Sequence, residues 1–362
     1  MPNLARSIIR DSLRAQPDEP ILISAAPHTL ALAEDVALEA FKAGADPAIL
    51  MDTDKVFYGQ FKYLADEQLR KTSAHCLGLL DYVKSYIWLG GTEDPAPMRR
   101  VPKPKWAAMF QGEDAHYRKS QKLKPKSVGV ALGLVTRPRA KAYGFNFAAW
   151  KKMTESAIAV NYDEMRRTGE GLAAALERPA GARVTAENGT DLTFRLAGEG
   201  RKAHVDDGVI GDEDLAVGNT DTGLPAGNVS IAPIEDSANG TFVADVKIPQ
   251  VGTLIDGLSW TFQNGRIVEF SAKRNVTSAQ INWAEGTGAK EMFASLGIGL
   301  NRKVVPGFLS SNLARGTIGI SIGDNQGLGG KNESSYGFGS FLAKGTLEID
   351  GRVLVEDGRL KL

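Results

Sequence analysis

The side chains that could do chemistry in the second half of this chain lie in four glycine-rich segments. These segments carry amides, hydroxyls, a lysine and a tyrosine, but no imidazole and no thiol, because the last histidine is His204 and the single cysteine is Cys76. Histidine is the commonest general base and metal ligand, so the part of the chain after His204 must work without it. The segments are Gly223–Pro233, Ser295–Asn301, Gly316–Asn325 and Gly329–Gly339.

Length and composition indicate about two folded domains. The chain has 362 residues, of which 43% are hydrophobic and 24% charged, as is ordinary for a protein with full hydrophobic cores. Lys plus Arg equals Asp plus Glu at 43 each, so net charge favours neither nucleic acid nor an anionic membrane as a partner. No stretch suits a signal peptide or a membrane span. With one cysteine and no intrachain disulfide, we expect a cytoplasmic protein.

The first half of the chain predicts an α/β domain with a parallel sheet, over residues 1–178. Strand, helix and strand follow one another at βαβ spacing, which implies a parallel pair joined by a right-handed crossover. Two later apolar runs read as further strands of the same sheet. The predicted elements are a helix over 1–16, strand Ile21–Ser24, helix Ala31–Ala43, strands Pro47–Met51, Tyr86–Leu89 and Val128–Leu132, and helical segments within 147–175.

Residues 179–362 predict a mainly β (α+β) domain of the catalytic type. Short alternating strands are separated by turn signals such as Gln263–Gly265 and Asp350–Gly351. A helix is expected near 276–295, and Gly323–Gly345 reads as a loop. The clearest strands are Thr190–Phe194, Thr241–Val246 and Thr346–Ile349.

The order of the motifs resembles the aminopeptidase T family of metallopeptidases and the related fold of 2,5-dihydroxypyridine dioxygenase. Each motif alone is weak, but together they occur in the family's order over most of the chain. The resemblance implies an aminopeptidase T-like fold and a homodimer formed through the C-terminal domain. Besides the four glycine-rich segments, the motifs are Asn188–Leu192, Asp206–Gly208 and Glu356–Gly358.

The resemblance also implies a metal centre whose ligands this chain lacks. Where the family has an acidic ligand after its Leu-Pro-x-Gly motif, this chain has Asn228, and Ser295 stands at a second acidic position. The family's histidine falls at Gly319, and its His-x-Asp pair falls at Gly337 and Gly339. Glycine supplies no side-chain ligand, and amide or hydroxyl oxygens are poor ligands for Zn²⁺ or Fe²⁺. We therefore predict neither a metal nor another cofactor.

Asn228 and Ser295 become candidate site residues because they replace metal ligands. Asn228 is either a loop amide that caps its own backbone or a donor that holds a substrate carbonyl or carboxylate. Ser295, near the end of the predicted helix, either bonds a backbone carbonyl, binds substrate or acts as a nucleophile, which requires a nearby base.

Lys331 and Tyr336, together with Ser295, are the predicted catalytic residues. The Lys331 ammonium is either a solvated loop charge or a replacement for the lost positive charge of the metals. Tyr336 either packs against the sheet or acts as a general acid. Asp324 equally suits a structural role in the loop. Further candidate substrate-binding residues, with Asn228, are Asn301, Asp324, Asn325 and Ser335.

Two histidines have competing interpretations. His28 follows the first predicted strand, at the edge where open α/β sheets bind ligands, although a surface position at a helix start is the simpler explanation. His204 lies beside Asp206 and Asp207 and could form a site, although the related families carry acidic residues there for structural reasons.

Three functions follow from these residues. The first is a metal-independent hydrolase or ring-opening enzyme acting on a small amide-type or aromatic, heterocyclic substrate. The second is a metal-dependent aminopeptidase with unconventional ligands, which rests on family analogy. The third is a non-catalytic protein that binds a small molecule. In each case the expected partners are a small molecule and a second copy of the chain, not a nucleic acid or a membrane.

Overall fold

The computed structural model describes residues 4–197 and 200–361. The chain divides into two compact units, the first comprising Met1–Ile158 and Gly208–Pro225 and the second comprising Ala159–Asp207 and Ala226–Leu362. The predicted boundary at residue 178 differs from this division in two places. The helical segment after residue 159 belongs with the second unit, and residues 208–225 return to the first.

The helices lie mostly in the first unit. A six-residue π-helix, Ser7–Ser12, follows the first helix, so the predicted N-terminal helix is present but ends before residue 16. Within the described residues, no helix has the length and apolar character needed to cross a membrane. The α-helices are α1 (Leu4–Arg6), α2 (Leu30–Lys42), α3 (Asp54–Tyr63), α4 (Asp66–Leu69), α5 (Ala74–Tyr82), α6 (Lys103–Leu123), α7 (Arg137–Tyr143), α8 (Phe147–Ile158), α9 (Tyr162–Leu176), α10 (Asp212–Val217) and α11 (Val276–Glu285).

Within residues 4–197 and 200–361, the strands form three sheets. They are β1 (Pro20–Ala25), β2 (Asp46–Met51), β3 (Ser85–Trp88), β4 (Lys126–Val130), β5 (Ala180–Thr185), β6 (Asp191–Leu196), β7 (His204–Asp206), β8 (Asp221–Leu224), β9 (Asn228–Ile231), β10 (Asn239–Val243), β11 (Ile248–Gln250), β12 (Thr253–Gln263), β13 (Arg266–Arg274), β14 (Phe293–Gly299), β15 (Ile318–Gly323), β16 (Gly337–Leu342), β17 (Thr346–Ile349), β18 (Arg352–Glu356) and β19 (Arg359–Leu360).

The first unit contains a five-stranded sheet in the order β2-β1-β3-β4-β8. All of its neighbouring strands pair in parallel, which confirms the predicted α/β domain. The apolar residues of β1 alternate in burial, with Ile21 and Ile23 buried and Leu22 half-buried between them. A parallel sheet needs a crossover between strands, and α2 supplies the first one, between β1 and β2. Strand β8 is an addition that the sequence did not predict.

The second unit is built from a nine-stranded and a five-stranded sheet that share one hydrophobic core. Phe293 of the smaller sheet packs against Phe194 and Phe262 of the larger one, with ring centroids 5.0 and 5.6 Å apart. Helix α9 covers part of the same core. A Cβ on Gly169 of α9 would lie 2.4 Å from the Val205 side chain, so only glycine permits this close helix–sheet approach.

Two predictions for the second unit are wrong. The helix expected near 276–295 ends at Glu285, and Ser295 lies on the central strand β14. The stretch Gly323–Gly345, predicted as a loop, contains the strand β16. The reason is the same in both cases. Glycine and serine occupy alternate positions of these strands, and such residues weaken the sequence signal of a strand although the intervening apolar residues keep its period of two.

A substitution at Phe293 tests the contact between the two sheets, because this side chain is fully buried in the shared core. Phe293→Ala is expected to lower the free energy of unfolding by about 3–5 kcal/mol, through lost burial and the cavity left behind. Val268→Ala is the matched control, because Val268 is 58% exposed and should change stability by less than about 0.5 kcal/mol. Urea unfolding followed by tryptophan fluorescence measures both, and equal effects would contradict the described packing.

Candidate functional site

One face of the five-stranded sheet β16-β15-β14-β9-β7 carries small and polar side chains. Directly paired residues of antiparallel strands point to the same side. The face that includes Val229, Leu296 and Ile320 belongs to the hydrophobic core. The opposite face, which we call the glycine-serine face, consists of His204, Asp206, Asn228, Ser230, Ser295, Gly297, Gly299, Gly319, Ser321, Gly323, Gly337, Gly339 and Phe341.

All five positions at which the resemblance predicts metal ligands lie on the glycine-serine face. Asn228 is opposite Gly299, and Gly319 occupies the next strand of the sheet. Ser295 is opposite Ser321, which in turn is opposite Gly339, and Gly337 follows at the end of β16. The register of four strands therefore brings together positions that are more than a hundred residues apart in sequence.

Asn228 has an unsatisfied amide oxygen. Its Oδ1 is buried and has no hydrogen-bond partner among the described residues. The side chain lies over Gly297, where an added Cβ would be 3.4 Å from that oxygen. An unpaired buried acceptor costs about 1–3 kcal/mol. The orphan atom is an acceptor, so this end of the amide suits a ligand N–H, whereas the sequence led us to expect a donor.

Ser295 is held by another hydroxyl. Its Oγ forms a short hydrogen bond with Ser321 Oγ, a residue that the sequence analysis did not single out. In the part of the chain that the structure describes, no basic side chain contacts Ser295 Oγ. The pair can bind a polar substrate atom, but it lacks the adjacent base that an activated serine nucleophile requires.

A hydroxyl and an imidazole are directly opposite each other at one point of the glycine-serine face. His204 on the edge strand β7 pairs with Ser230 on β9, and both side chains are half-buried. Asp206 lies two residues along the same strand, on the same side. His204 was a candidate from the sequence, whereas Ser230 was not. The alternation of polar and apolar residues in His204, Val205 and Asp206 is the pattern of a strand with one polar face. A three-residue strand is nevertheless too short to identify reliably from sequence.

The glycine-rich loop before β16 is fastened to a buried ion pair. Arg201 donates to Glu235 at 2.9 Å, and both side chains are about nine-tenths buried. The other carboxylate oxygen of Glu235 accepts from the Lys331 backbone N–H at 2.6 Å and from Asn325 Nδ2 at 3.2 Å. Burial alone would raise the pKa of Glu235, but these hydrogen bonds outweigh burial and hold the pKa below its ordinary value.

Two of the loop residues predicted to form the site have other roles. Asn325 uses its side chain to hold the loop in place, and Lys331 is exposed. Asn325 also donates to the Ala294 carbonyl at 3.0 Å, which ties the loop to β14. The Lys331 ammonium forms no hydrogen bond or ion pair with any residue that the structure describes. Neither residue belongs to the glycine-serine face.

Tyr336 lies on the core side of the sheet. Its ring stacks on Phe338, with centroids 6.2 Å apart, and its hydroxyl donates to the carbonyl of Ala279 in α11 at 3.2 Å. Burial raises the pKa of the phenol. These contacts account for Tyr336 as a packing residue and direct its hydroxyl away from the glycine-serine face.

Three further predicted residues support loops. Asn301 Nδ2 donates to the Ala226 carbonyl at 2.8 Å from a fully buried position. Asp324 Oδ2 accepts from the backbone N–H of Ser334 at 3.2 Å. Ser335 Oγ accepts a backbone N–H at 2.9 Å from the loop after α11. Such bonds to backbone are the usual use of these residue types in turns.

His28 in the first unit is likewise occupied. It lies in the short 3₁₀ turn after β1, and its Nε2 is 2.9 Å from the Gly133 carbonyl. The side chain is half-buried, so it is not the freely exposed residue that a surface helix start would give.

The residues on the glycine-serine face do not fit the metal centre that the resemblance implies. Among the described residues there is no group of three or more His, Cys, Asp or Glu arranged to hold a metal ion. On this face, His204 and Asp206 are the ionisable side chains, and both are on the edge strand. A catalytic zinc site has three protein ligands, and a two-metal site needs more carboxylates and imidazoles still.

Glu235 makes stability depend on pH. Because its pKa is lower in the folded protein than in the unfolded chain, its contribution is complete above about pH 4.3 and is lost as pH falls through the folded pKa. Glu235→Gln leaves Arg201 buried without its counter-ion and should cost about 3 kcal/mol at pH 7. Urea unfolding at stepwise lower pH should show the native and variant free energies converging.

The exposed, isosteric change Glu269→Gln is the control for Glu235→Gln, and it should follow the native pH dependence. A gap between native protein and Glu235→Gln that stays constant down to acid pH would contradict the role assigned to the ion pair.

Tyr336→Phe separates packing from acid catalysis. Loss of the hydroxyl bond to Ala279 should lower the free energy of unfolding by about 1 kcal/mol. Turnover and ligand affinity should remain at the native level, because the hydroxyl does not reach the glycine-serine face. Loss of turnover with native stability would instead support the acid role predicted from the sequence.

Comparison with known proteins agrees with the resemblance drawn from the motifs. The wild-type AmpT of Thermus thermophilus has a similar structure, with a TM-score of 0.78 at 16% identity, over 99% of this chain and 98% of that one. The 2,5-dihydroxypyridine dioxygenase of Pseudomonas putida KT2440 gives a TM-score of 0.58 at 13% identity, over 96% and 93%. No curated protein sequence matches.

A family profile matches most of the chain. The profile of the Thermophilic metalloprotease (M29) family matches residues 1–292. The match includes the first half of the chain, where the motifs gave little signal. It ends immediately before β14, so three of the four glycine-rich segments lie beyond it. The chain thus belongs to the Thermophilic metalloprotease (M29) family.

Proposed function

We propose that this chain is a metal-independent enzyme on an M29 frame, which hydrolyses or ring-opens a small amide-type or heterocyclic substrate. The observation that carries the proposal is the make-up of the glycine-serine face. Amide, hydroxyl and glycine occupy the five corresponding ligand positions, while the strands and turns that hold those positions remain. Because the sheet is intact while these five positions carry no ionisable side chain, we infer altered chemistry rather than a simple loss of structure.

The glycines leave room for a ligand beside the polar groups. A Cβ at Gly337 would meet nothing within 4 Å, and one at Gly319 would meet the Phe341 ring only at 3.4 Å. The Phe341 ring lies over Gly319 and Gly339, so it offers an aromatic surface near the open position at Gly337, against which a flat ring can pack. This supports a small amide or heterocycle as the substrate rather than a highly charged one.

Asn228 and the paired serines supply binding groups for an amide. The unpaired Oδ1 of Asn228 can accept the substrate N–H. Of the paired hydroxyls of Ser295 and Ser321, one donates to the other, and the second can donate to the substrate carbonyl oxygen. Donors that are fixed before the reaction stabilise negative charge as it develops on that oxygen.

Ser230 and His204 are the pair on this face that could exchange a proton. In the proposed reaction, Ser230 Oγ attacks the amide carbon while its proton passes to His204. The C–N bond then breaks, and His204 returns the proton to the leaving nitrogen. Water deprotonated by His204 cleaves the ester and restores Ser230. Directly opposite side chains have Cβ atoms about 4.5–5.5 Å apart, and catalytic hydrogen bonds are often longer before substrate binds.

The sequence also predicted a cationic role for Lys331, and we retain this role as a separate hypothesis. Its ammonium is exposed and lies on the loop before β16. Lys331→Ala should raise KM for a carboxylate-bearing substrate if the ammonium meets that substrate, whereas an unchanged KM and kcat would assign Lys331 to the solvent.

The proposal is tested by metal analysis and chelation combined with variants. After exhaustive dialysis against a chelator, turnover of small amides and lactams should be unchanged. His204→Gln and Ser230→Ala should each lower kcat about 10²–10⁴-fold, the usual contribution of an acid–base group. His75→Gln, an exposed histidine in the first unit, is the matched control. Stoichiometric metal together with chelator-sensitive turnover would favour a metal-dependent aminopeptidase and overturn the proposal.

A non-catalytic binding protein is the second candidate, and the orphan Asn228 oxygen favours it. A binding protein needs that acceptor and the paired serines but no base. Tight binding of a small amide that is reduced in Asn228→Ala, with no consumption of the ligand, would decide for this function. We also propose that the chain forms a homodimer, which size-exclusion chromatography with light scattering tests.

A further inference from the structure

The first unit contains a cavity at the carboxyl ends of its parallel strands. Its volume is about 360 Å³, and it is lined by Ala25 and Ala26 at the end of β1, Asp52 after β2, and Gly90 and Gly91 after β3. Ligands of open α/β sheets bind at this edge. The volume lies within the range of roughly 300–1,000 Å³ that is typical of small-molecule sites.

Arg139 supplies a buried positive charge to this cavity. It lies on α7, which is capped by Thr136 at its N-terminus and by Gly144, with φ +70°, at its C-terminus. The side chain is 6% exposed, and its Nη2 donates to the Thr92 carbonyl. Its Nε is buried and has no hydrogen-bond partner, and no carboxylate among residues 4–197 and 200–361 forms an ion pair with the guanidinium.

Burial lowers the pKa of Arg139, and the nearby Tyr143, Tyr58, Asp54 and Asp94 oppose that effect. The two carboxylates keep their charge, but their hydrogen bonds go to backbone N–H groups and not to the guanidinium. Asp54 accepts the backbone N–H groups of Glu93 at 2.8 Å and Asp94 at 3.0 Å, and Asp94 accepts that of Ala96 at 2.8 Å. A buried guanidinium with an orphan N–H and no ion-paired partner is unfavourable unless an anion arrives.

The remaining lining indicates which anion fits. Asp52 and Asp54 also line the cavity, so a dianionic phosphate would meet more repulsion than a singly charged carboxylate. The apolar side chains Phe57, Met98 and Leu134 and the ring of Trp88 complete the wall. We propose that this cavity binds a small monocarboxylate, whose carboxylate meets Arg139 and whose apolar body packs against Phe57, Trp88 and Leu134.

Isothermal titration of the full chain compares three probes: benzoate, the neutral isostere benzamide, and inorganic phosphate. Benzoate should bind at least tenfold more tightly than benzamide, because only the carboxylate pairs with Arg139. It should also bind more tightly than phosphate. Equal affinities for benzoate and benzamide, no benzoate binding at millimolar concentration, or tighter phosphate binding would each overturn the proposal.

Arg139→Met tests the named contact. Benzoate affinity should fall at least tenfold, while the exposed change Lys141→Gln on the same helix removes an equal charge and should leave affinity within twofold. If Arg139→Met does not fold, Gly91→Val provides the test. Gly91 lines the cavity, and a Cβ there makes ordinary contact with Trp88 at 3.7 Å, so filling the space should abolish binding without unfolding. Native benzoate affinity in either folded variant would refute the site.

Discussion

The antiparallel register of β9, β14, β15 and β16 is the constraint on which the candidate site depends. Successive residues of a strand face opposite sides, so a slip of one residue would move Leu296 and Ile298 out of the core and bring glycines into it. The hydrophobic core therefore fixes the register. The register in turn fixes which residues share the other face, whatever their identity. This explains how a set of side chains can change while the positions stay together.

The elements that the sequence predicted well are those with strong local signals. Apolar residues alternate or run together in β1 to β4, and these strands lie where the pattern indicated. Strand β14 was mistaken for the end of a helix because Ser295, Gly297 and Gly299 dilute its apolar residues. The motif order led to five positions that are predicted to correspond to metal ligands of the family. Their convergence on one face could not be derived from the sequence, because strand register depends on contacts distant along the chain.

The predicted site residues divide between the sheet and the loop for a physical reason. Asparagine, serine and aspartate in a glycine-rich segment either bind a ligand or satisfy the backbone of the loop, and both uses favour the same residue types. Asn325 serves the loop through Glu235 and β14, whereas Asn228 keeps an acceptor unpaired. Only the hydrogen-bond partners distinguish these cases. Ser230 was overlooked although it lies in the Gly223–Pro233 segment, and its pairing with His204 could not be foreseen because both residues lie on short strands.

Strand β8 has a consequence for how this protein can be cut or rearranged. The chain leaves the first unit after Ile158 and returns at Gly208 to add β8 beside β4. A fragment that stops at residue 158 or 178 would expose the unpaired backbone of β4 at a sheet edge, which invites aggregation. To produce the first unit by itself, residues 208–225 must therefore be joined to residues 1–158. Genetic exchange of this unit between relatives would have to transfer two separate stretches of the gene.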